Sequence, residues 1–270
     1  DLSRHELLDH SPDHMLTRTL GYGYDAGATC PRFERFLDEV LVRRVDQADP
    51  TSRLVPDPEL RMLVQEMMGY CLCTHCLAER AFFLLGDGRN GKSALIRVIR
   101  QLMGELRVCD GFDLRRVSNP NSNMRLLGKS VAFMTEQQLG SRIDDAGYKA
   151  VVSGESLAAR RLYHDEVSIT PYATLIMAGN SLPETRDSSL GFWERTIVIP
   201  FLNTFVGAKA DPNLQKELAR ELPGILNFVL EGYRRLEGND WAFTEAQACL
   251  EATACYREES DPAVMWLNDC

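Results

Sequence analysis

Long apolar runs are missing from this chain. No stretch approaches the roughly 20 residues that a membrane-spanning helix needs, and the first residues lack the basic segment followed by an apolar one that marks a secretory signal. Low-complexity linkers and internal repeats are missing too. These absences argue against a protein that works in a membrane, and we expect a cytoplasmic location.

An excess of basic charge is also missing. The formal net charge is −9 at pH 7, which weakly disfavours a protein coated in nucleic acid. It does not exclude nucleic-acid binding through one groove or channel, because such binding depends on the electrostatic field at the site and not on the total charge. Basic residues cluster at Arg115-Arg116, Lys149 and Arg160-Arg161.

Two cysteine pairs at zinc-binding spacing are missing as well. Eight cysteines are scattered through the 270 residues, which is typical of free thiols in a reducing compartment. The segment Cys71 to Cys76, CLCTHC, lacks the distant second pair that a closed zinc site usually needs. Because it continues a helical pattern from Leu60, we predict buried or half-buried thiols there.

The sequence does contain a glycine-rich loop between an apolar run and a helix. The run Phe82 to Leu85 has the character of a buried strand in a parallel sheet. After the loop, apolar residues recur at helical spacing: Ala94, Leu95, Val98, Ile99 and Leu102. Strand, tight loop and helix in this order form a setting that binds nucleotide phosphates.

The loop itself has the spacing of a phosphate-binding loop, with four residues between a glycine and Gly-Lys-Ser. Its glycines let consecutive N–H groups turn toward a phosphate, and the helix N-terminus adds its positive dipole end. Lys92 can reach the outer phosphates of a nucleoside triphosphate, and the Ser93 hydroxyl can bind the accompanying Mg²⁺. We predict a nucleotide site formed by eight residues: Gly86, Asp87, Gly88, Arg89, Asn90, Gly91, Lys92 and Ser93.

Three further apolar runs adjoin polar residues that suit the same chemistry. The run Lys129 to Glu136 ends in an acid that can hold Mg²⁺ or orient water, or is a plain surface glutamate. Ala173 to Ala178 precedes Asn180, which could touch the γ-phosphate from a strand between the other two, or simply form a turn. Arg195, before Ile197 to Phe201, either reaches a neighbouring subunit or is a solvated charge.

Helical patterns flank these strands at both ends of the chain. Apolar residues of Phe33 to Leu41 share one helical face, and Asp57-Pro58 opens a second helix. A further helix is expected from Phe243 to Glu259. We predict an α/β fold with a P-loop NTPase core and a mostly parallel sheet at residues 79–204, an N-terminal helical region at 1–78 and a C-terminal helical region at 205–270.

Five segments in this order carry a family resemblance: GDGRNGKS, VAFMTEQQ, YKAVVSGESLAARRLY, LIMAGNSLP and GFWERTIVIPF. The series resembles the superfamily 3 helicase domain of phage and plasmid primase-helicases, which is similar to poxvirus primase-helicases. The resemblance extends upstream through YDAGATCPRFERFL and MMGYCL and downstream through ELARELPGILNFVLEGYRRL. It therefore covers nearly the whole chain.

The resemblance implies an AAA+-type ATPase that uses ATP and Mg²⁺ and assembles as a ring, expected to be a hexamer. Lys92 and Ser93 match the Walker A motif, and Glu136 ends Walker B. Asn180 matches the sensor asparagine, and Arg195 matches the arginine finger that enters the neighbouring subunit's site.

The activity of the family also implies the partners of this chain. The ring would translocate on single-stranded or forked DNA, usually 3′ to 5′, during replication of a phage, plasmid or other mobile element in a bacterial host or a virus-infected cell. Priming would come from a primase domain outside this sequence or from a primase protein in trans.

The stretch between Walker B and the sensor resembles the family's DNA-contacting region. Ser153-Gly154-Glu155 is expected to make a turn, and Arg160 to Ile169 a hairpin that projects into the central channel. The implied DNA contacts are Lys149, Arg160, Arg161, Tyr163 and His164. The alternatives are that Tyr163 is part of the core and Arg160 a structural ion-pair partner.

Three positions depart from the family pattern, and two other functions stay open. Glu194 stands where relatives often have another arginine, Thr135 precedes the single acid of Walker B, and the hairpin tip His164-Asp165-Glu166 is acidic. The chain could instead be a P-loop ATPase that remodels or loads a protein partner without unwinding DNA. The third candidate function is that of a small-molecule kinase.

Overall fold

The computed structural model describes residues 2, 4–9, 11–14, 19–46, 49, 51–135, 144–181, 190–207 and 210–259. Glu136, the acid that the sequence assigns to Mg²⁺, lies outside the described residues. Within these ranges, no helix combines the length and the apolar character that crossing a membrane requires.

Nine strands are found in the described ranges. They are β1 (Val42–Arg44), β2 (Leu54–Pro56), β3 (Ala81–Leu85), β4 (Val108–Asp110), β5 (Val131–Thr135), β6 (Leu157–Arg160), β7 (Glu166–Ile169), β8 (Thr174–Gly179) and β9 (Thr196–Pro200). Five of them form the central sheet in the order β4-β5-β8-β3-β9, and every neighbouring pair is parallel. The predicted α/β fold with a parallel sheet is confirmed.

The same ranges contain nine α-helices. They are α1 (Pro31–Val40), α2 (Pro58–Tyr70), α3 (Lys92–Met103), α4 (Pro120–Asn123), α5 (Asp145–Val152), α6 (Leu190–Arg195), α7 (Leu214–Arg220), α8 (Leu222–Gly238) and α9 (Gln247–Glu259). Short 3₁₀ turns cover Pro12–His14, Glu105–Arg107, Leu114–Arg116 and Met124–Leu126.

The sheet separates two hydrophobic cores. Successive side chains of a strand point to opposite faces, so Phe82 and Leu84 of β3 enter one core while Ala81 and Phe83 enter the other. Helices α1, α2, α3 and α8 cover the first face, and α5 and α6 cover the second. Burial on both faces explains why the parallel strands read as continuous apolar runs.

The helices at the two ends of the chain pack on each other as well as on the sheet. A Cβ at Gly232 of α8 would lie 2.3 Å from the carbonyl oxygen of Gln65 in α2. The buried carboxylate of Glu66 in α2 binds the Arg235 guanidinium at 2.6 Å and accepts the N–H of Thr244 at 2.7 Å. Because a buried charge is costly without such partners, this cluster ties α2 to the C-terminal helices.

Two sequence predictions about helix boundaries are wrong. Helix α2 ends at Tyr70, so the cysteine segment after it forms turns instead of continuing the helix. Helix α9 begins at Gln247 and not at Phe243. The Phe243 ring instead packs edge-on against Tyr70 and Phe82, with ring centroids 5.6 and 5.2 Å apart, which holds this segment in an extended form.

The cysteines near residue 71 are buried or half-buried, as predicted. Burial raises the pKa of the Cys71 thiol to about 12 and that of Cys76 to about 11, and it also raises the pKa of Cys73. The Cys71 thiol donates to the Met67 carbonyl oxygen at 3.2 Å. These thiols stay protonated at neutral pH and pack as small apolar groups.

Candidate nucleotide and nucleic-acid sites

The glycine-rich loop lies at the carboxyl end of β3 and leads directly into α3. Its backbone has positive φ at Gly86 (150°), Arg89 (63°) and Gly91 (97°). A Cβ at Gly86 would lie 2.4 Å from the Phe201 carbonyl oxygen, and one at Gly91 would lie 2.5 Å from Val40 Cγ1. The two glycines that define the motif spacing are therefore required by both conformation and space.

Neighbouring strands hold the loop in place. The Gly86 N–H donates to the carbonyl oxygen of Gly179 at the end of β8, at 3.3 Å. The buried Asn90 side chain donates to the carbonyl oxygen of Phe201, which follows β9, at 3.4 Å. The loop conformation is therefore determined by both strands that flank β3 in the sheet.

Lys92 is the first residue of α3, and its side chain stays at the loop. The residue is 8% exposed, and its Nζ donates to the carbonyl oxygens of Gly86 and, at 3.2 Å, Asp87. The Asn90 side-chain oxygen accepts the N–H of Lys92 at 3.4 Å, and the first turn of α3 has no acid. A helix N-terminus with an ammonium beside it favours the binding of an anion, and a triphosphate is such an anion.

The carboxyl ends of β3, β5 and β8 lie side by side next to this loop. Thr135, the last residue of β5, pairs with Ala178 of β8, which pairs in turn with Leu84 of β3. Asn180 directly follows β8 and is exposed. The structure therefore brings Asn180 to the loop on the strand between the other two, as the sequence predicts.

A cavity of about 420 Å³ beside the loop was not anticipated from the sequence. Phe36 and Val40 of α1 contribute apolar surface, and Phe205 faces them from the segment after β9. Arg32 lies at the same cavity and bonds Asp211 at 3.0 Å and Glu217 at 3.2 Å. Aromatic and aliphatic side chains beside a phosphate site suit a nucleotide base.

The predicted hairpin is present, and its first strand begins earlier than expected. Strands β6 and β7 pair antiparallel from Leu157 opposite Ile169 to Arg160 opposite Glu166. The base is fixed because Ala159 and Ile169 are buried in the second core. The expected turn at Ser153 to Glu155 is also present, with Gly154 at φ 66°.

The hairpin tip presents its side chains to solvent. Tyr163 is 97% exposed and holds a left-handed conformation, φ 64°, which excludes the alternative that it is part of the core. Leu162 is 66% exposed, and Arg160, Arg161 and His164 are exposed. An exposed aromatic ring between basic residues is an arrangement that can stack on a base and neutralise phosphates.

Arg195 ends α6 at the opposite edge of the sheet from the loop. Thr196, the next residue, pairs with Ala81 at the amino end of β3, so the length of that five-residue strand, about 13 Å, separates the two sites. The guanidinium bonds Glu79 at 2.9 Å, Ser153 Oγ at 3.2 Å and the Gly191 carbonyl oxygen at 3.2 Å. These contacts fix where the arginine lies within its own chain.

Lys149 lies with Arg195 and not with the hairpin tip. It is half-buried on α5, and a Cβ at Gly191 would lie 3.3 Å from its Nζ and 3.6 Å from Arg195 NH1. The five residues that the sequence assigns to DNA therefore fall into two places. Four occupy the hairpin, while DNA contact by Lys149 stays a prediction.

Two family descriptions match parts of the chain. Residues 84–195, from the end of β3 to Arg195, match a family of unknown function, DUF5906. Residues 1–42, which include α1, match a family described as "D5 N terminal like".

Several curated viral proteins are similar in sequence. "Putative helicase L207/L206" of Acanthamoeba polyphaga mimivirus is 25% identical over 243 residues, which is 81% of this chain and 25% of the viral protein. "Putative helicase 022R" of Frog virus 3 is 25% identical over 201 residues, 66% of this chain and 21% of that protein. The chain therefore spans about a quarter of the length of these relatives.

A solved structure shares the fold. The C-terminal region of NrS-1, in its A-form apo structure, superposes with a TM-score of 0.63 at 12% identity, over 90% of this chain and 56% of that one. This chain places its glycine-rich loop at the end of the fourth strand, β3, of a five-stranded parallel sheet. The chain is therefore similar in sequence to viral proteins named as putative helicases, and it shares its fold with the NrS-1 region.

Proposed function

We propose that this chain is the ATP-hydrolysing motor of a DNA helicase of superfamily 3 that acts in replication of a virus, phage, plasmid or other mobile element. The observation that carries the proposal is the loop at the end of β3, where two required glycines precede a helix N-terminus that begins with Lys92 and has no acid in its first turn. The viral relatives, which are named as putative helicases, support the choice of activity.

In the proposed nucleotide site, each residue has a separate task. The loop N–H groups and Lys92 hold the phosphates, and Asn180 contacts the γ-phosphate or the attacking water. Ser93 lies exposed in the first turn of α3, where its hydroxyl can bind Mg²⁺, and Glu136 is the second proposed ligand. A bound Mg²⁺ would neutralise charge on the phosphate oxygens.

The proposed DNA site is the hairpin formed by β6 and β7. Tyr163 stacks on a base, while Arg160, Arg161 and His164 face the backbone phosphates. Hydrolysis is coupled to displacement of the hairpin, so that a single strand moves past it, 3′ to 5′ by family resemblance.

Arg195 acts in a neighbouring subunit of a ring, proposed as a hexamer. Its distance from the loop of its own chain supports action in trans, because the whole length of β3 separates them. In the neighbour's site it stabilises the charge that develops on the γ-phosphate.

The test is steady-state ATP hydrolysis of the full chain with and without oligothymidylate, together with unwinding of a forked duplex. We expect DNA to stimulate hydrolysis, and we expect Lys92→Ala to lower it by roughly hundredfold or more, since that lysine contacts the reacting phosphates. Lys216→Ala, at an exposed lysine of α7, is the matched control and keeps full activity.

Three outcomes would contradict the proposal. Hydrolysis and unwinding that persist in Lys92→Ala would remove the loop from the mechanism. Hydrolysis that DNA does not change would favour an ATPase that remodels or loads a protein partner. A phosphorylated small-molecule product would favour a kinase.

A further inference from the structure

A basic cleft lies beside the hairpin, outside the nucleotide site. It has a volume of about 510 Å³ and follows β4, the edge strand of the sheet. Among the described residues, three arginines line it, Arg115, Arg116 and Arg125, with one carboxylate, Asp113, and small polar side chains. This is the Arg115-Arg116 cluster of the sequence, to which the proposed function gives no role.

The cleft keeps an excess of positive charge. Asp113 accepts from Arg115 Nε at 2.7 Å, and it lies 3.4 Å from Arg116 Nε. The Arg115 hydrogen bond holds the pKa of Asp113 below its usual range, so the carboxylate is ionised at neutral pH. The described lining carries three guanidiniums and one carboxylate, so the local charge of the cleft is positive although the net charge of the chain is negative.

The guanidiniums are also held in position. Arg115 NH2 bonds the second oxygen of Asp113 at 2.7 Å, which gives a two-point contact. Arg125 donates to the carbonyl oxygens of Gly111, at 3.1 Å, and Asp110. The Arg116 side chain is 72% exposed, against 36% for Arg115. Fixed guanidiniums lose less freedom when they bind a phosphate.

One buried side chain joins the cleft to the hairpin. Asn123 of α4 donates to the carbonyl oxygen of Ala158 in β6 at 2.9 Å and to that of Val117 at 2.8 Å. Because Ser122 and Arg125 on either side of Asn123 line the cleft, this bond places the cleft next to the first strand of the hairpin.

We propose that the cleft of Arg115, Arg116 and Arg125 binds the sugar-phosphate backbone of single-stranded DNA next to the segment that the hairpin holds. The inference rests on the proposed function. The described lining of the cleft contains no aromatic ring, so we expect it to bind the charged backbone without preference for the base sequence. The hairpin then supplies stacking through Tyr163, and the cleft supplies phosphate contacts.

The experiment measures binding of fluorescein-labelled oligothymidylate to the full chain as a function of salt. Arg116→Ala is expected to weaken binding several-fold and to lower the slope of log K against log salt by about 0.7, the value for one phosphate contact on a single strand. Arg116→Lys keeps the charge and is expected to keep the slope. Arg220→Ala, at an exposed arginine on α7, is the control and should match the wild type.

Tyr163→Ala separates this inference from the proposed function. It should weaken binding while leaving the salt slope near the wild-type value, because a ring carries no charge. If Tyr163→Ala weakens binding while Arg116→Ala matches the wild type in affinity and slope, the cleft is overturned and the helicase proposal stands. If the wild type does not bind oligothymidylate, both fall together.

Discussion

The two edges of the central sheet use different means to build a site. At the carboxyl edge, the loop after β3 is defined by backbone, with glycines that no other residue can replace without strain or collision. At the amino edge, Arg195 is defined by side-chain partners on other elements, Glu79 and Ser153. The same strand, β3, connects the two edges.

This difference decides how each edge responds to change. A site made of backbone depends on a few positions that must be glycine, so small substitutions there have large effects. A site made of exposed side chains tolerates small changes, because the loss of one contact in an exposed ion pair changes the free energy of unfolding only slightly. The hairpin also begins near the amino edge, since Ser153, the C-cap of α5, bonds Arg195 and lies shortly before β6.

Substitution of Gly91 should have the largest effect on the carboxyl edge. Gly91→Ala forces a side chain into a left-handed position 2.5 Å from Val40 Cγ1, and we expect ATP binding to be lost. Gly88→Ala is the matched control, because a Cβ there meets nothing within 4 Å. Binding of a fluorescent ATP analogue measures the affinity of both variants. Equal affinities would contradict the claim that position 91 must be glycine.

At the amino edge, Arg195→Ala should remove hydrolysis and keep ATP binding. We expect turnover to fall by roughly hundredfold or more, as when a charge-stabilising arginine is removed, with ATP affinity close to that of the wild type. Glu194→Ala, at the exposed neighbour, is the control. A parallel loss of ATP affinity would show that Arg195 supports the fold instead of the reaction.

The hairpin tip allows strain and function to be separated. Tyr163→Gly should raise the free energy of unfolding by about 0.5–1 kcal/mol, because glycine holds φ 64° without cost. It should also weaken binding of single-stranded DNA by about tenfold through loss of stacking. Tyr163→Ala should show the affinity loss without the gain in stability; thermal unfolding and fluorescence anisotropy measure the two quantities.

The smallest effect is expected for the Glu79 partner of Arg195. The pair has exposed fractions of 26% and 45%, so Glu79→Gln should lower the free energy of unfolding by about 1 kcal/mol or less. Hydrolysis should change far less than in Arg195→Ala. A loss of turnover as large as that of Arg195→Ala would mean that Arg195 supports hydrolysis through its contacts within its own chain and not in a neighbouring subunit.

The sequence predicts the carboxyl edge better than the amino edge for a physical reason. Buried parallel strands leave continuous apolar runs, so Phe82 to Leu85 and Ala173 to Ala178 are recognised within one residue of β3 and β8. The loop is recognised because its backbone demands fixed glycine positions. Strand β4 is missed because its three residues end in a charge and form no such run.

Contacts between distant residues leave no pattern in the sequence. Arg195 and Glu79 are 116 positions apart, and nothing local to either indicates the bond. The cavity beside the loop is missed for a related reason. Phe36 and Val40 have the spacing of core residues on a helical face, and only the fold reveals that they also line a cavity.

The most direct measurement mixes two inactive variants. Lys92→Ala lacks the loop lysine, and Arg195→Ala lacks the arginine of the other edge, so each is expected to be nearly inactive alone. If the two edges of different subunits form one site, an equal mixture should recover about a quarter of the wild-type rate of ATP hydrolysis, since random neighbours complete that share of sites. A mixture that stays as inactive as its components would contradict a shared site.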